Sequence, residues 1–532
     1  MSDPREPWWQ GAVIYQIYPR SFADANGDGI GDLRGIIGRL DHLRGTDASL
    51  GVDAIWLSPI FPSPLHDFGY DISDYTDVAP EFGTLADLDA LVEACHARGL
   101  RLLLDLVPNH TSIEHPWFVD SRSSRDSARR DWYTWVDPAP DGGPPNNWRC
   151  AFGPSAWTLD EATGQYYLHS FYAEQPDLNY RNPAVSDAIH EVMRFWFRRG
   201  VDGFRVDAVA HVLKDPLLRD NPPYRRETWM PGFGMRMHQD PLWNMDRPEV
   251  HDVVRGLRRV ADEYPGRVLI GEIYTPVERL AGYLGEDRAD EFQLAFDFEP
   301  LHTPWDWQLF MLAIERAEAL HPPAAWPTYA LSNHDNPRHA TRYGRERARI
   351  AAFLLLMLRG VPVLYQGEEI GMVDAAASAS TEDRVGRDAQ RTPMQWDASP
   401  TGGFTTGRPW LPLVDPEEAN VAAQLRDDRS LLSLYRRLLR ARAEVPALRR
   451  GTHRSIFGLG DGILAWLRES EGQQVLVLCN MLDEPLTIDP APLRRFELPG
   501  VGDVLVATGE RAGRVELNAL ELDALEGVAI IV

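Results

Sequence analysis

Eight short apolar runs, each rich in β-forming residues, constrain the fold of this chain more than any other feature. They are "AVIYQIYP" (12–19), "VDAIWLSP" (52–59), "RLLLDLVPNH" (101–110), "GFRVDA" (203–208), "VLIGEI" (268–273), "QLAFDF" (293–298), "YALSNHD" (329–335) and "VPVLYQGEE" (361–369). Amphipathic helical patterns separate several of them, such as "LADLDALVEACHARG" before the third and "SDAIHEVMRFWFRRG" before the fourth. Gly99 and Gly200 fall where a helix C-cap is expected. Continuous apolar strands alternating with helices specify a parallel sheet covered on both faces. Eight such units predict an α/β fold of the (β/α)₈ barrel type rather than an open doubly wound sheet.

Two intervals are too long for simple crossovers. Residues 111–175, rich in Trp, Pro, Gly and Asn, predict a small irregular domain inserted after the third strand. Residues 370–430 form a second excursion, after the eighth. Beyond 448 the runs become short and alternating ("GILAWLRE", "QQVLVLCN", "GVAIIV"), as in an all-β domain. The expected organisation is barrel 1–110, inserted domain 111–175, barrel 176–447 and C-terminal β-sandwich 448–532.

Barrel enzymes place their chemistry at the C-terminal ends of the strands, and here those ends are polar. Asp105, Asn109 and His110 close the third run, Arg205 and Asp207 the fourth, Glu272 the fifth, His334 and Asp335 the seventh. Any one carboxylate alone reads as a buried structural ion pair. Four carboxylates with two histidines and an arginine, converging on one mouth, read as a catalytic site. A net charge of −25 repels phosphate backbones and anionic bilayers, which excludes nucleic acid and membrane surfaces as expected partners. Three cysteines without metal spacing point to a reducing compartment. With no apolar leader in "MSDPREPWWQG" and no run long enough to span a bilayer, a cytoplasmic protein is expected.

Glycosidic bond cleavage uses paired carboxylates of this kind. "DLVPNH", "GFRVDAVAH", "GEIY" and "LSNHD", in that order and on those strands, resemble the four signature regions of glycoside hydrolase family 13, the α-amylase family. "QPDLNY" (175–180) resembles the fifth region of its α-glucosidase and oligo-1,6-glucosidase branch, and "YQIYPRSF", "GYDISDY" and "RTPMQWD" (391–397) point the same way. The resemblance runs from about residue 8 to 440. It implies that Asp207 is the nucleophile that forms a β-glucosyl-enzyme. Glu272 is then the acid that protonates the glycosidic oxygen and later the base that activates water. Asp335 bridges sugar hydroxyls without bonding covalently. Retention follows, with the Asp207 and Glu272 carboxyls about 5 Å apart. Glu272 must hold its proton near neutrality, while Arg205 keeps Asp207 ionised and oriented.

The resemblance gives sugar-holding roles to Asp67, Tyr70, Asp105, His110, His334 and Arg391. Tyr70 is the implied stacking floor. Asp67 and Arg391 are implied to grip the 4- and 6-hydroxyls of a non-reducing end, which makes the enzyme exo-acting on a small oligosaccharide substrate. The reaction implied is α-glucose release from maltose and short α-gluco-oligosaccharides, with transglucosylation as a side activity. Trehalose synthase and oligo-1,6-glucosidase are the alternatives within the family; a non-catalytic sugar-binding protein is the alternative outside it. Ala208, after the nucleophile, is neither the Val nor the Thr that goes with α-1,6 or α-1,4 preference in relatives, so linkage stays open. Phe68 and Tyr180 stand where many relatives carry Asn and Trp, which points to different acceptor contacts.

One motif lies outside this set. In "DANGDGIGD", Asp24, Asn26 and Asp28 occupy the first, third and fifth positions of a calcium loop, but the twelfth is Gly35, which excludes an EF-hand sensor. The loop is expected to close on Asp24, Asn26, Asp28, Asp32 and the Ile30 carbonyl around a structural Ca²⁺, or Mg²⁺ in its place. An Asx-turn loop with no ion is the alternative. No organic cofactor is expected, and the chain is a monomer or a homodimer. Lys214 is the only lysine among 54 basic residues, a bias read as coding composition.

Overall fold

A computed structural model describes residues 7–223, 239–322, 325–376, 383–470 and 472–532. The first six residues and positions 377–382 of the second excursion lie outside the described residues. All eight apolar runs form strands, shorter than the runs themselves: β1 (Ile14–Ile17), β2 (Ala54–Leu57) and β3 (Arg101–Leu106) precede the insertion. Within the insertion lie β4 (Trp135–Val136), β5 (Trp157–Asp160) and β6 (Gln165–Leu168); β7 (Gly203–Val206), β8 (Val268–Gly271), β9 (Leu294–Asp297), β10 (Thr328–Ala330) and β11 (Val361–Tyr365) then complete the set. The eight pair in parallel in the order β1-β11-β10-β9-β8-β7-β3-β2 and close, because β1 pairs with both β2 and β11. Ile14, Ala54, Leu103, Ile270, Leu294 and Val363 fill the barrel interior, while a larger cluster fills the space between sheet and helices.

Local signals match this architecture. Thr84 and Asp87 form a capping box at the start of the helix Leu85–Ala97, and Asn182 caps the helix Pro183–Arg198. Gly99 and Gly200 follow those helices at φ 70° and 95°, the left-handed conformation that ends a helix at least cost in glycine.

The segment 111–175 is more regular than its composition implied. It carries a helix (Pro116–Ser123) and an antiparallel sheet of order β4-β6-β5 over a cluster of Trp148, Ala156, Trp157 and Leu168. A further long excursion, not anticipated from the sequence, runs from Ala208 to the helix Val250–Asp262. The C-terminal part holds β12 (Thr452–Ser455), β13 (Ile463–Ser470), β14 (Gln473–Asn480), β15 (Leu486–Thr487), β16 (Val501–Ala507), β17 (Gly513–Glu516), β18 (Glu521–Leu522) and β19 (Gly527–Ile531). They make a six-stranded antiparallel sheet, β12-β13-β14-β19-β16-β17, and a β15-β18 pair over one apolar cluster.

Burial sets the pH range of this fold. It pulls His110, His115, His302 and His321 down to about 4, and His211 and His453 to about 3. Unfolded histidines take up a proton near pH 6.5, so between 6.5 and about 4 the unfolded chain binds more protons and stability falls with pH. Asp297 works the other way: burial raises its carboxyl to about 7, so its contribution is present at low pH and lost as pH rises through 7. The raised carboxyls of Asp105 and Asp207 act in the same sense as Asp297; the six histidines, whose unfolded forms titrate inside this window, set the direction. The melting temperature is expected to drop by roughly 5–10 °C from pH 7 to pH 5; a flat calorimetric profile across that window would contradict neutral burial of these rings.

Candidate active site

The polar strand ends converge because adjacent parallel strands are in register. Asp105 on β3 is the register partner of Arg205 on β7, and Asp207 and Glu272 each lie one residue beyond a strand end, after the paired Val206 and Gly271. Arg205 is the hub. One guanidinium nitrogen donates to Asp105 (2.7 Å) and Asp207 (2.7 Å), and the other lies 2.5 Å from Glu272. Trp56 and Tyr70 donate to the second oxygen of Asp105, at 3.1 and 3.2 Å. Such a cluster survives burial only because each charge is paired.

Burial drives Asp207 well above the usual carboxylate range; Arg205 opposes, while Glu272 and Asp105 add repulsion. Asp207 and Glu272 share the Arg205 guanidinium, one on each terminal nitrogen. Arg205 meets Asp207 as expected, and its charge works against the desolvation that raises this carboxyl.

Asp335 behaves oppositely. Despite burial, His334, Arg387 and Arg391 hold it well below the ordinary range, so it stays charged. It lies 3.0 Å from His334 Nε2, 3.0 Å from Arg391 and 3.2 Å from Arg387. Tyr70 lies against His334 with rings 5.5 Å apart and nearly parallel at 8°, and its hydroxyl meets His334 Nε2 at 2.7 Å.

A cavity of about 320 Å³ opens over these groups, lined by Asp67, Tyr70, His110, Asp207, Glu272 and Asp335. Asp105, Arg205, His334 and Arg391 do not line it; they sit behind and hold the lining residues. Sequence reasoning missed Arg387, Phe152, Phe171, His211, Met245 and Tyr274, which complete the wall. Arg387, rather than Arg391, is the arginine that meets Asp67 at the cavity. Its guanidinium is 2.5 Å from Asp67 and 2.8 Å from Asp383, whereas Arg391 is 1% exposed and donates to the His334 carbonyl. The available signal was a second arginine four residues upstream in "GRDAQRTPMQWD". Phe68 and Tyr180 are buried away from the cavity, the latter donating to the Pro108 carbonyl at 2.9 Å. Ala208 does line it, at φ 44°, a left-handed conformation that a β-branched residue adopts only under strain.

The 24–32 loop folds onto its own amides. Asp24 accepts from the amides of Gly27 and Gly29 (both 2.7 Å) and from Thr405 (2.5 Å), Asn26 from Asp28 and Asp28 from Ile30. Asp32 accepts from Ala25 and caps the helix Leu33–Leu43 through the Gly35 amide. All the donors are oxygens, as a hard cation requires. Yet no group of three or more His, Cys, Asp or Glu side chains converges to hold a metal ion among the described residues.

A closed parallel barrel with a buried carboxylate pair beneath a small polar cavity defines a glycosidic-bond-cleaving enzyme, a glycoside hydrolase. The family model described as "Alpha amylase, catalytic domain" matches residues 16–451, and the chain belongs to the α-amylase family. It is 44% identical over 530 residues to a probable alpha-glucosidase of Rhizobium meliloti (strain 1021), covering 94% of each chain. To an oligo-1,6-glucosidase of Parageobacillus thermoglucosidasius it is 39% identical over 526 residues, covering 90% and 91%. Among solved structures, an alpha-glucosyl transfer enzyme superposes with TM-score 0.89 at 40% identity, covering 99% of this chain and 100% of the other.

Proposed function

We propose that the protein is a retaining, exo-acting α-glucosidase that releases α-D-glucose from the non-reducing end of maltose and short α-gluco-oligosaccharides. The observation that carries this reading is the Asp67–Arg387 pair. Both residues line the cavity, and Arg387 is tied on to Asp335 and Asp383; these groups suit the hydroxyls of a terminal sugar, which supports a reading in which a chain end fits and a chain interior does not. With a sugar bound, Glu272 is the carboxyl that supplies a proton to the glycosidic oxygen. Asp207 attacks the anomeric carbon as the bond to the leaving oxygen breaks, and that oxygen takes the Glu272 proton. Glu272 then removes a proton from water, whose oxygen displaces Asp207 and restores the α-configuration. A sugar hydroxyl in place of water gives transglucosylation.

Glucose release from maltose, isomaltose, trehalose and sucrose, with the product anomer followed by NMR, tests the reading. α-Glucose appearing first from maltose is expected, and the maltose-to-isomaltose ratio reports the room that Ala208 leaves. Trehalose accumulating from maltose with little free glucose would overturn it in favour of an isomerase. Arg387→Ala is expected to raise KM for maltose about 10–100-fold, the loss of a charged hydrogen bond, while Arg391→Ala acts mainly on stability. Equal KM effects of the two would undo the assignment of Arg387.

The 24–32 loop is proposed to take a structural Ca²⁺ or Mg²⁺ on Asp24, Asn26, Asp28, Asp32 and the Ile30 carbonyl, remote from the chemistry. Alternate oxygen donors support this. Elemental analysis should find about one divalent ion per chain, and EDTA should lower the melting temperature by at least about 5 °C. No bound metal and an unmoved transition would leave the amide-closed loop as the finished structure. A cytoplasmic location is proposed from the three free cysteines, two of them buried; among the described residues no helix is long and apolar enough to cross a membrane.

A further inference from the structure

Lys214 is the chain's one lysine, and it stands beside the active site. It follows the 3₁₀ turn Val209–His211 that leaves the end of β7, with a side chain only 10% exposed. Its ammonium lies 2.5 Å from Asp177 Oδ2 and 3.1 Å from Asn109 Oδ1. Asn109 in turn donates to Asp177 Oδ1 (2.9 Å) and lies 3.2 Å from His110 Nδ1. Asp177 also accepts from the Ser170 amide and hydroxyl, so one cation joins the end of β3, the exit of the inserted segment and the turn after Asp207. His110 and His211 line the sugar cavity on either side of this junction.

We propose that Lys214 is a positioning residue of the active site, setting His110 against the substrate through Asn109 and Asp177, and that arginine cannot take its place. The proposal rests on the reading of the cavity as a glucoside site. An ammonium is a compact point charge, whereas a guanidinium is a wide planar fork. Where this chain buries an arginine such as Arg442, the fork spans three carbonyls, of Leu356, Leu358 and Gly360. At Lys214 the acceptors are two side-chain oxygens already joined by an Asn109–Asp177 hydrogen bond. A fork would push Asn109 off His110. A chain with arginine at every other basic position keeps lysine where the fork does not fit.

The electrostatics agree. His110 is pushed down by burial first and by Lys214, against Asp177, Asp67 and the Tyr70 carbonyl; Gln175 and Phe171 complete its surroundings. His211 is pushed down by burial, then by Lys214 and His110, against Asp177, with Phe171 packed on it. Burial opposes the charge on Asp177, yet Lys214 and Ser170 hold its carboxyl below the ordinary range.

Three variants test this on 4-nitrophenyl α-D-glucoside and maltose. Lys214→Arg is expected to fold and to lose at least 30-fold in kcat/KM, most of it in KM. The acid limb of its kcat/KM profile is expected to move up by about one pH unit. Lys214→Met leaves Asp177 uncompensated and is expected to melt early. Lys214→Met with Asp177→Asn removes both charges, and should regain the wild-type melting temperature but not kcat/KM. A merely structural lysine would let the double variant regain both. Wild-type kcat/KM and pH profile in Lys214→Arg would overturn the proposal. In Lys214→Arg the labelled His110 imidazole should titrate differently from that of the unmodified protein, because Asn109 no longer holds it; identical imidazole titration in the two would overturn the proposal. A wild-type protein inert toward α-glucosides would sink the glucosidase reading instead, and the imidazole titration would still decide the role of Lys214.

Discussion

Asp207→Asn is expected to abolish turnover of every α-glucoside, by about 10⁴-fold or more, with the fold intact. The magnitude is that of removing a covalent nucleophile, after which only binding and charge stabilisation remain. The fold should hold because Arg205 keeps Asp105 and Glu272 as partners, and because an amide at 207 relieves the crowding of three carboxylates about one guanidinium. A calorimetric transition within a few degrees of wild type is part of the expected result. Azide added to Asp207→Ala supplies the missing nucleophile from the same face and should give β-glucosyl azide from an activated aryl glucoside. Unchanged turnover in Asp207→Asn would remove the nucleophile assignment. A wild type that binds maltose without ever releasing glucose would make the protein a sugar binder on a catalytic fold.

Glu272→Gln separates the two halves of the reaction. Maltose, whose leaving sugar needs a proton, should be cleaved about 10³-fold more slowly, the usual worth of a positioned general acid. 4-Nitrophenyl α-D-glucoside departs without a proton, so its first step should be nearly spared and a glucosyl-enzyme should accumulate, visible by mass spectrometry as one added hexose. An equal loss on both substrates would mean that Glu272 acts by holding the site together rather than by moving a proton. Its contacts make that a real alternative: one oxygen lies 2.5 Å from Arg205 and the other accepts from the Ala208 amide at 3.2 Å.

These contacts show why part of the site was legible and part was not. Asp105, Arg205, Asp207 and Glu272 sit on or beside strands whose parallel register follows from eight apolar runs, so naming the strands already gathered them at one mouth. Arg387 belongs to a short 3₁₀ turn, Arg387–Gln390, in a loop with no periodicity. No local pattern states which of two arginines four residues apart turns outward to Asp67 and which inward to the His334 carbonyl. Phe152 and Phe171 enter the wall from the inserted segment, whose small sheet the Trp- and Gly-rich composition concealed.

By itself the sequence determined the barrel, its order, the all-β tail and which carboxylates gather at the mouth. Strand and helix periodicities are local properties, and a closed parallel sheet brings its C-terminal ends together whatever the loops do. Only the tertiary structure decided how the charges are shared: Asp105, Asp207 and Glu272 on one guanidinium, Asp335 held ionised beside His334, Arg387 and Arg391, Arg387 at the cavity and Arg391 behind it, and the one lysine seated between Asn109 and Asp177. Those outcomes depend on distances of a few ångströms between groups far apart in the chain, where desolvation and Coulomb energy nearly cancel.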